Sequence, residues 1–213
     1  MARLPLDVER TLGEGEAART EIVRRFEKQI QSHTSRTKEG VTCSKGCAHC
    51  CYHPLSVSLL EGVSLYRWLT EHYLWTPDFK DKVVQHSKAV WGLTPEIWML
   101  SMVACPMLDE KLCSIYQGRP AVCRVTVSTG DPYYCHPHRF GIDVTGIVPR
   151  HSFLDELMYL EADLLNRHHQ IYVALPLSTA LLYGERIAKG DLSLEDSSHT
   201  IAIDYRKLIR EGP

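Results

Sequence analysis

The nine residues from Cys43 to Cys51 constrain this chain more than any other stretch. Four thiols, Cys43, Cys47, Cys50 and Cys51, fall within them, the last two adjacent. The other four, Cys105, Cys113, Cys123 and Cys135, come later, and no cysteine lies before 43 or after 135. Thiols this dense must either pair covalently or share a ligand. The N-terminal Met1–Arg10 has no apolar signal core, since Arg3 and Asp7 interrupt it. No apolar run approaches the ~18 residues of a membrane span. The expected location is therefore cytoplasmic, with no membrane partner. In that reducing setting clustered cysteines serve as metal ligands or redox groups rather than as a disulfide framework.

The spacing supports metal. A loop carrying Cys43, Cys47 and Cys50 wraps a single ion or cluster, and its backbone N–H groups turn inward to stabilise thiolate charge. Gly46 supplies the backbone freedom for that wrapping. All-thiol ligand sets select zinc, copper(I) or an iron–sulfur cluster. Cys50 and Cys51 do not easily share one small tetrahedral ion, because adjacent side chains diverge in an extended chain. One of the pair then serves a second metal or bridges. Eight thiols make two four-ligand sites, or one cluster plus a smaller site completed by His49, His53, His136 or His138. Each of these histidines is otherwise an outer hydrogen-bond donor or a polar loop residue. Pro106 holds Cys105 extended. Arg119 and Arg124 flank Cys123 and are the candidate cofactor-binding residues. Their guanidinium groups would offset thiolate charge or hold the carboxylate of a cofactor or substrate. The plainer alternative is a pair of surface ion pairs, each worth under about 1 kcal/mol.

The remaining sequence reads as mainly α: a helical domain with a loop-built, cysteine-rich metal centre and at most a few short strands. Residues 1–15, with Pro5, Gly13 and Gly15, are expected to be a flexible N-terminal segment. Residues 16–190 form a single metal-binding helical domain, and 191–213 a loosely packed C-terminal extension. Ala18, Ile22, Phe26 and Ile30 recur at helical spacing, ending in the polar run from Ser32 to Gly40. Ser56 is the expected cap of a helix to Tyr73, with Leu59, Val63, Tyr66, Leu69 and Tyr73 on one face. Pro77 starts a helix ending near Gly92, and Thr94 and Pro95 start another to about Met102. Ala121 to Ser128 reads as a short strand through Val122, Val125 and Val127, and Ile142 to Val148 as another. A helix over Ser152–Arg167 places Phe153, Leu157, Leu160 and Leu164 on one face. A last helix runs from Pro176 to Gly190, and His168 and His169 are expected in solvent. No repeat, Walker loop or glycine-rich dinucleotide fingerprint is visible. The net charge of -2 gives no basic excess for nucleic acid, and none is expected as a partner. The aromatic residues Tyr66, Trp68, Tyr73, Trp75, Trp91 and Trp98 read as core or groove lining, not a base-stacking platform. Oligomeric state is left open.

Two blocks carry a resemblance. Cys43, Cys47, Cys50 and Cys51, then Cys105-Pro106-Met107-Leu108, then Cys113-Ser114-Ile115-Tyr116 with Arg119-Pro120 and Cys123-Arg124, resemble the YkgJ-type cysteine-cluster family, described as zinc- or iron-chelating. The resemblance implies a bound metal or iron–sulfur centre with the motif cysteines as ligands. One branch sharing the first block is the flagellin lysine N-methylase type, which suggests S-adenosylmethionine and protein side-chain modification. Cys135, in Cys135-His136-Pro137-His138, stands outside the matched blocks.

Three functions of different class fit these residues, and no catalytic residue is identified for any. The first is a working centre holding an iron–sulfur cluster or iron, with a peptide or protein substrate. Its motive is excess, since a helical domain of this size folds on its core without eight thiols. The second is structural zinc in an interaction module. The third is an S-adenosylmethionine enzyme, methylase-like or radical, in which Cys43, Cys47 and Cys50 hold a cubane. Against the radical version, no strand precedes the loop and no alternation of strands and helices follows.

Overall fold

The computed structural model describes residues 6–37, 40–139, 151–167, 172–197 and 200–201. Among them the chain forms seven α-helices and four strands of two or three residues, the mainly helical architecture that the sequence implies. It divides into two compact units. One comprises Met1–Ala18, Ser56–Gly92 and Met158–Pro213, the other Arg19–Leu55 and Leu93–Leu157. The division falls inside helix α1 (Leu6–Thr37) and inside helix α6 (His151–Asn166).

The first unit is built on two strand–helix pairs. Strand β1 (Ser56–Ser58) runs directly into α2 (Leu59–Glu71), and β4 (Ala174–Pro176) into α7 (Leu177–Lys189). The strands pair antiparallel with Val57 opposite Leu175. The chain thus repeats one supersecondary unit although no sequence repeat announces it. Ser58, not Ser56, caps α2, its Oγ accepting the Glu61 N–H at 3.1 Å. Leu60, Val63 and Leu69 of α2 and Leu177, Leu181 and Ile187 of α7 are almost wholly buried. The two helices meet at glycines. A Cβ on Gly62 would lie 2.4 Å from the Ala180 carbonyl oxygen, and one on Gly184 2.5 Å from that of Gly62. Any side chain at either position forces the helices apart. Gly190 ends α7 with φ +80.

Helix α3 (Pro77–Val90) packs on α7 through polar contacts. His86 Nδ1 lies 2.9 Å from Ser178 Oγ, and Ser87 Oγ 2.8 Å from Thr179 Oγ1. Buried Glu185 accepts from Lys80 at 2.7 Å, Lys189 at 2.6 Å and Trp75 Nε1 at 3.3 Å. Burial alone would raise its carboxyl, but these donors outweigh that and hold it below the usual range.

The second unit has its own core. Ile22, Val23 and Phe26 of α1 pack with Ala121 and Val125 and with Leu157 of α6. Phe153 meets Phe26 edge-on at 5.5 Å, and Arg25 pairs with Glu156 at 2.6 Å. Helix α4 (Pro95–Ser101) is capped by Thr94, and the hairpin of β2 (Leu108–Asp109) and β3 (Leu112–Cys113) follows it.

Several expectations are corrected. Helix α1 starts at Leu6, so the irregular segment foreseen over 1–15 is helical from that point, with Val8 and Leu12 buried one turn apart. Ala121–Ser128 is not a strand. Residues Ala121–Arg124 form the short helix α5, closed by Thr126 Oγ1 donating to the Val122 carbonyl at 2.6 Å. Its buried pair, Ala121 and Val125, has helical spacing. Tyr73 lies past the end of α2 with φ 57 and is 90% exposed, so it leaves the expected apolar face. Leu160 is likewise exposed while Leu157, Leu164 and Leu165 are buried. In the C-terminal segment Leu192, Leu194 and Ile201 are buried. The proposed strand Ile142–Val148 and the pair His168 and His169 lie outside the described residues. Among the described residues no helix is long and apolar enough to cross a membrane.

Candidate metal centre

All eight cysteines belong to the second unit, and all are free thiols. Cys43 and Cys47 sit on a loop, Cys50 and Cys51 in a 3-10 turn (His49–Tyr52), Cys113 at the end of β3, Cys123 on α5 and Cys135 in a 3-10 turn (Pro132–Cys135). Gly46 turns the first loop at φ +90, and the Cys47 N–H closes it on the Ser44 carbonyl at 3.0 Å. The next turn closes through the Cys51 N–H on Ala48 and the His53 N–H on Cys50.

Two sets of long-range hydrogen bonds then bring the later cysteines to this loop. In one set the Cys105 N–H donates to the Cys51 carbonyl at 2.7 Å. The Leu108 N–H closes a turn on the Cys105 carbonyl at 2.9 Å, and the hairpin returns Cys113 opposite Leu108. In the other set Thr42 donates through its N–H and Oγ1 to the Ser128 carbonyl and through Oγ1 to Gly130. The Ser128 N–H reaches Cys43 Sγ at 3.3 Å, and the Ser128 hydroxyl bonds the Cys135 thiol. His53 Nε2 lies 2.7 Å from the Cys135 carbonyl oxygen. Buried Ser128 thus joins two cysteines, a role that sequence reasoning missed. Its only sequence signal was the Ser128-Thr129-Gly130 turn.

The thiol electrostatics follow from this packing. Burial pushes Cys105 up to about 12, opposed by the Met107 N–H and reinforced by Cys113 and Cys50. Burial also raises Cys113, opposed by the Ile115 N–H and by Arg119. Cys51 is raised far above its ordinary range, first by a thiol–thiol hydrogen bond with Cys50, then by burial and the charges of Cys50, Cys105 and Cys113. Although Cys43 is exposed as a residue, partial burial of its thiol raises it, opposed by the Ser128 N–H and Arg119, with Cys47 and Cys50 adding to the rise. Cys135 is raised by burial and by Cys43, Cys47 and Cys50, and lowered by Ser128. Without metal these thiols keep their protons at neutral pH, and a metal must displace them.

The donor set suits a soft ion. Backbone N–H groups from two residues on approach the sulfurs of Cys105 and Cys113, the bonds that stabilise a metal-bound thiolate. Among the described residues no three histidine, cysteine, aspartate or glutamate side chains already stand in ligating positions.

The arginines differ. Arg119 donates to the Tyr116 carbonyl at 3.0 Å, stacks 3.7 Å above the Tyr116 ring, and acts on both Cys43 and Cys113. Arg124 pairs with Glu27 at 2.9 Å. His49, His136 and His138 form a chain of edge contacts, with ring centroids 5.6 and 5.5 Å apart. No curated protein and no solved structure matches the chain. The segment that carries all eight cysteines, residues 42–142, matches the CxxCxxCC family, described as "Putative zinc- or iron-chelating domain".

Proposed function

We propose that the thiol centre is a working metal site, holding iron as an ion or iron–sulfur cluster, or zinc, and serving modification of a peptide or protein side chain. The observation that carries this reading is that the second unit does not depend on the thiols for a core. Phe26, Ile22, Val125 and Leu157 already supply one, while Cys43 and Cys50 remain exposed. A purely structural zinc is usually closed off and supplies folding energy itself. Arg119, beside two of the thiols, supports binding of a carboxylate or of negative charge that builds up at the metal. S-adenosylmethionine would be the co-substrate if the centre is a cubane with an open iron, and reductive cleavage of that molecule by reconstituted protein tests this version. Eight free thiols suit a reducing, cytoplasmic setting.

The test is anaerobic isolation, metal analysis and optical spectroscopy, followed by chelation monitored by circular dichroism. Iron with charge-transfer absorption and an apo form that keeps its helices support the working centre. Colourless protein with tightly held zinc that unfolds on chelation establishes the structural alternative.

A further inference from the structure

Arg119, Arg124 and Arg139 lie on the segments that carry the later thiols, and their surroundings differ. Arg124 is matched to Glu27 at 2.9 Å. Arg119 and Arg139 are instead laid over exposed tyrosine rings, Arg119 3.7 Å from the centre of Tyr116 and Arg139 4.1 Å from that of Tyr133. Among the described residues no carboxylate stands at ion-pair distance from either. Asp131, two residues before Tyr133, turns to its own backbone and accepts the Tyr133 N–H at 2.9 Å. Stacking on a ring holds a guanidinium in one plane and leaves its N–H edge for a carboxylate, so less freedom is lost when one binds.

An apolar strip adjoins Arg139. The 3-10 turn Pro137–Arg139 packs against α4, and α4 exposes Ile97 and Leu100, one turn apart, at 52% and 65%. The same turn is tied to the thiol loops. The Arg139 N–H donates to the His136 carbonyl at 2.8 Å, and the His136 ring lies 5.6 Å from that of His49, the residue before Cys50.

Resting on the reading of a peptide or protein substrate above, we propose that this unit docks an acidic peptide segment that also carries apolar side chains. Arg139 and Arg119 take its carboxylates, and Ile97 and Leu100 its apolar residues, which brings the segment to the thiol loops. The chain's net charge of -2 gives no general attraction for such a peptide, so recognition rests on these two guanidiniums. A nucleic acid would call for a broader basic surface.

Fluorescence anisotropy of a labelled peptide of alternating glutamate and leucine, titrated with the full-length chain as isolated, tests this. Binding should weaken with added salt and be lost for the matching peptide with glutamine in place of glutamate. Arg139→Gln and Arg119→Gln should each weaken it by about tenfold, and Leu100→Ser by less, while Arg124→Gln should bind as wild type does. Arg139→Gln should also keep the wild-type metal content, so its loss of binding is not loss of the centre. Equal affinity for the glutamate and glutamine peptides, or for Arg139→Gln and wild type, overturns the docking surface. Preference for a single-stranded oligonucleotide over the glutamate peptide overturns it in favour of phosphate recognition. Protein that binds the glutamate peptide but holds only structural zinc supports the surface and overturns the working-centre reading.

Discussion

Gly62 and Cys50 belong to different units, and they differ in what crowds them. Around Gly62 the backbone of α7 leaves no room for a methyl group. Around Cys50 there are other thiols, and the residue itself is exposed. The first unit obtains its order from helix contact and from polar pairs buried within it, such as His86 with Ser178 and Glu185 with its lysines. The second has a smaller core beside a set of loops whose cysteines are positioned by hydrogen bonds. Order of the first kind is complete in the polypeptide. Order of the second kind rests on hydrogen bonds between loops that converge on the thiols.

The largest effect is expected from crowding the glycine contact. Gly62→Val places new atoms against the Ala180 carbonyl, which as backbone cannot rotate away. The expected cost is about 3 kcal/mol or more, read as a lower denaturation midpoint in urea, independent of metal loading. Unchanged stability would show that α2 and α7 are not held in contact.

Acid should act on the first unit almost as strongly. Burial lowers His86 from its ordinary value to about 4. The unfolded chain then binds more protons than the folded one between pH 6.5 and about 4, so stability is full above pH 6.5 and is lost as pH falls through that window. The shift corresponds to about 3 kcal/mol. Urea denaturation as a function of pH measures it, and His86→Gln should flatten the profile. A wild-type profile already flat across that window would mean that His86 is solvated.

A smaller effect is expected at the thiol centre. Ser128→Ala keeps the backbone N–H to Cys43 but removes the hydroxyl from Cys135. Loss of an outer hydrogen bond of this kind typically costs about 10- to 100-fold in metal affinity, to be measured by competition with a chromophoric chelator. Thermal stability of the metal-free chain should change much less. Equal affinity for the variant would remove Ser128 from the centre.

How far the sequence reaches differs between the units for the same physical reason. Helices α3, α4 and α7 are legible because Thr76 with Pro77, Thr94 with Pro95, and Gly190 act locally through capping and fixed dihedrals. The start of α1 is not, because Gly13 counts against a helix and only the packing of Val8 and Leu12 overrides it. The strand expected at Ala121–Ser128 rested on valines, whereas Ala121 and Val125 are buried at the spacing of a helix turn. The eight thiols and their metal chemistry are visible as composition and spacing. Their grouping is not, since it depends on Thr42 meeting Ser128 and Cys105 meeting Cys51, contacts between segments more than fifty residues apart.

The two arginines give the finest test of where the centre ends. Arg124 is adjacent to Cys123 in sequence, but its guanidinium is committed to Glu27 at 2.9 Å, with both side chains substantially exposed. Such a pair is worth under about 1 kcal/mol, so Arg124→Ala should leave stability and metal affinity nearly unchanged. Arg119 lies against the Tyr116 ring and acts on Cys43 and Cys113. Removing its charge makes the thiolates harder to form, so Arg119→Ala should need a higher pH than wild type for half-maximal metal loading. Lysine at position 119 should restore part of that shift, because it returns the charge without the planar stacking on tyrosine. Equal pH profiles for the two alanine variants would place both arginines on the plain surface and leave the thiol charge to be balanced by the metal alone.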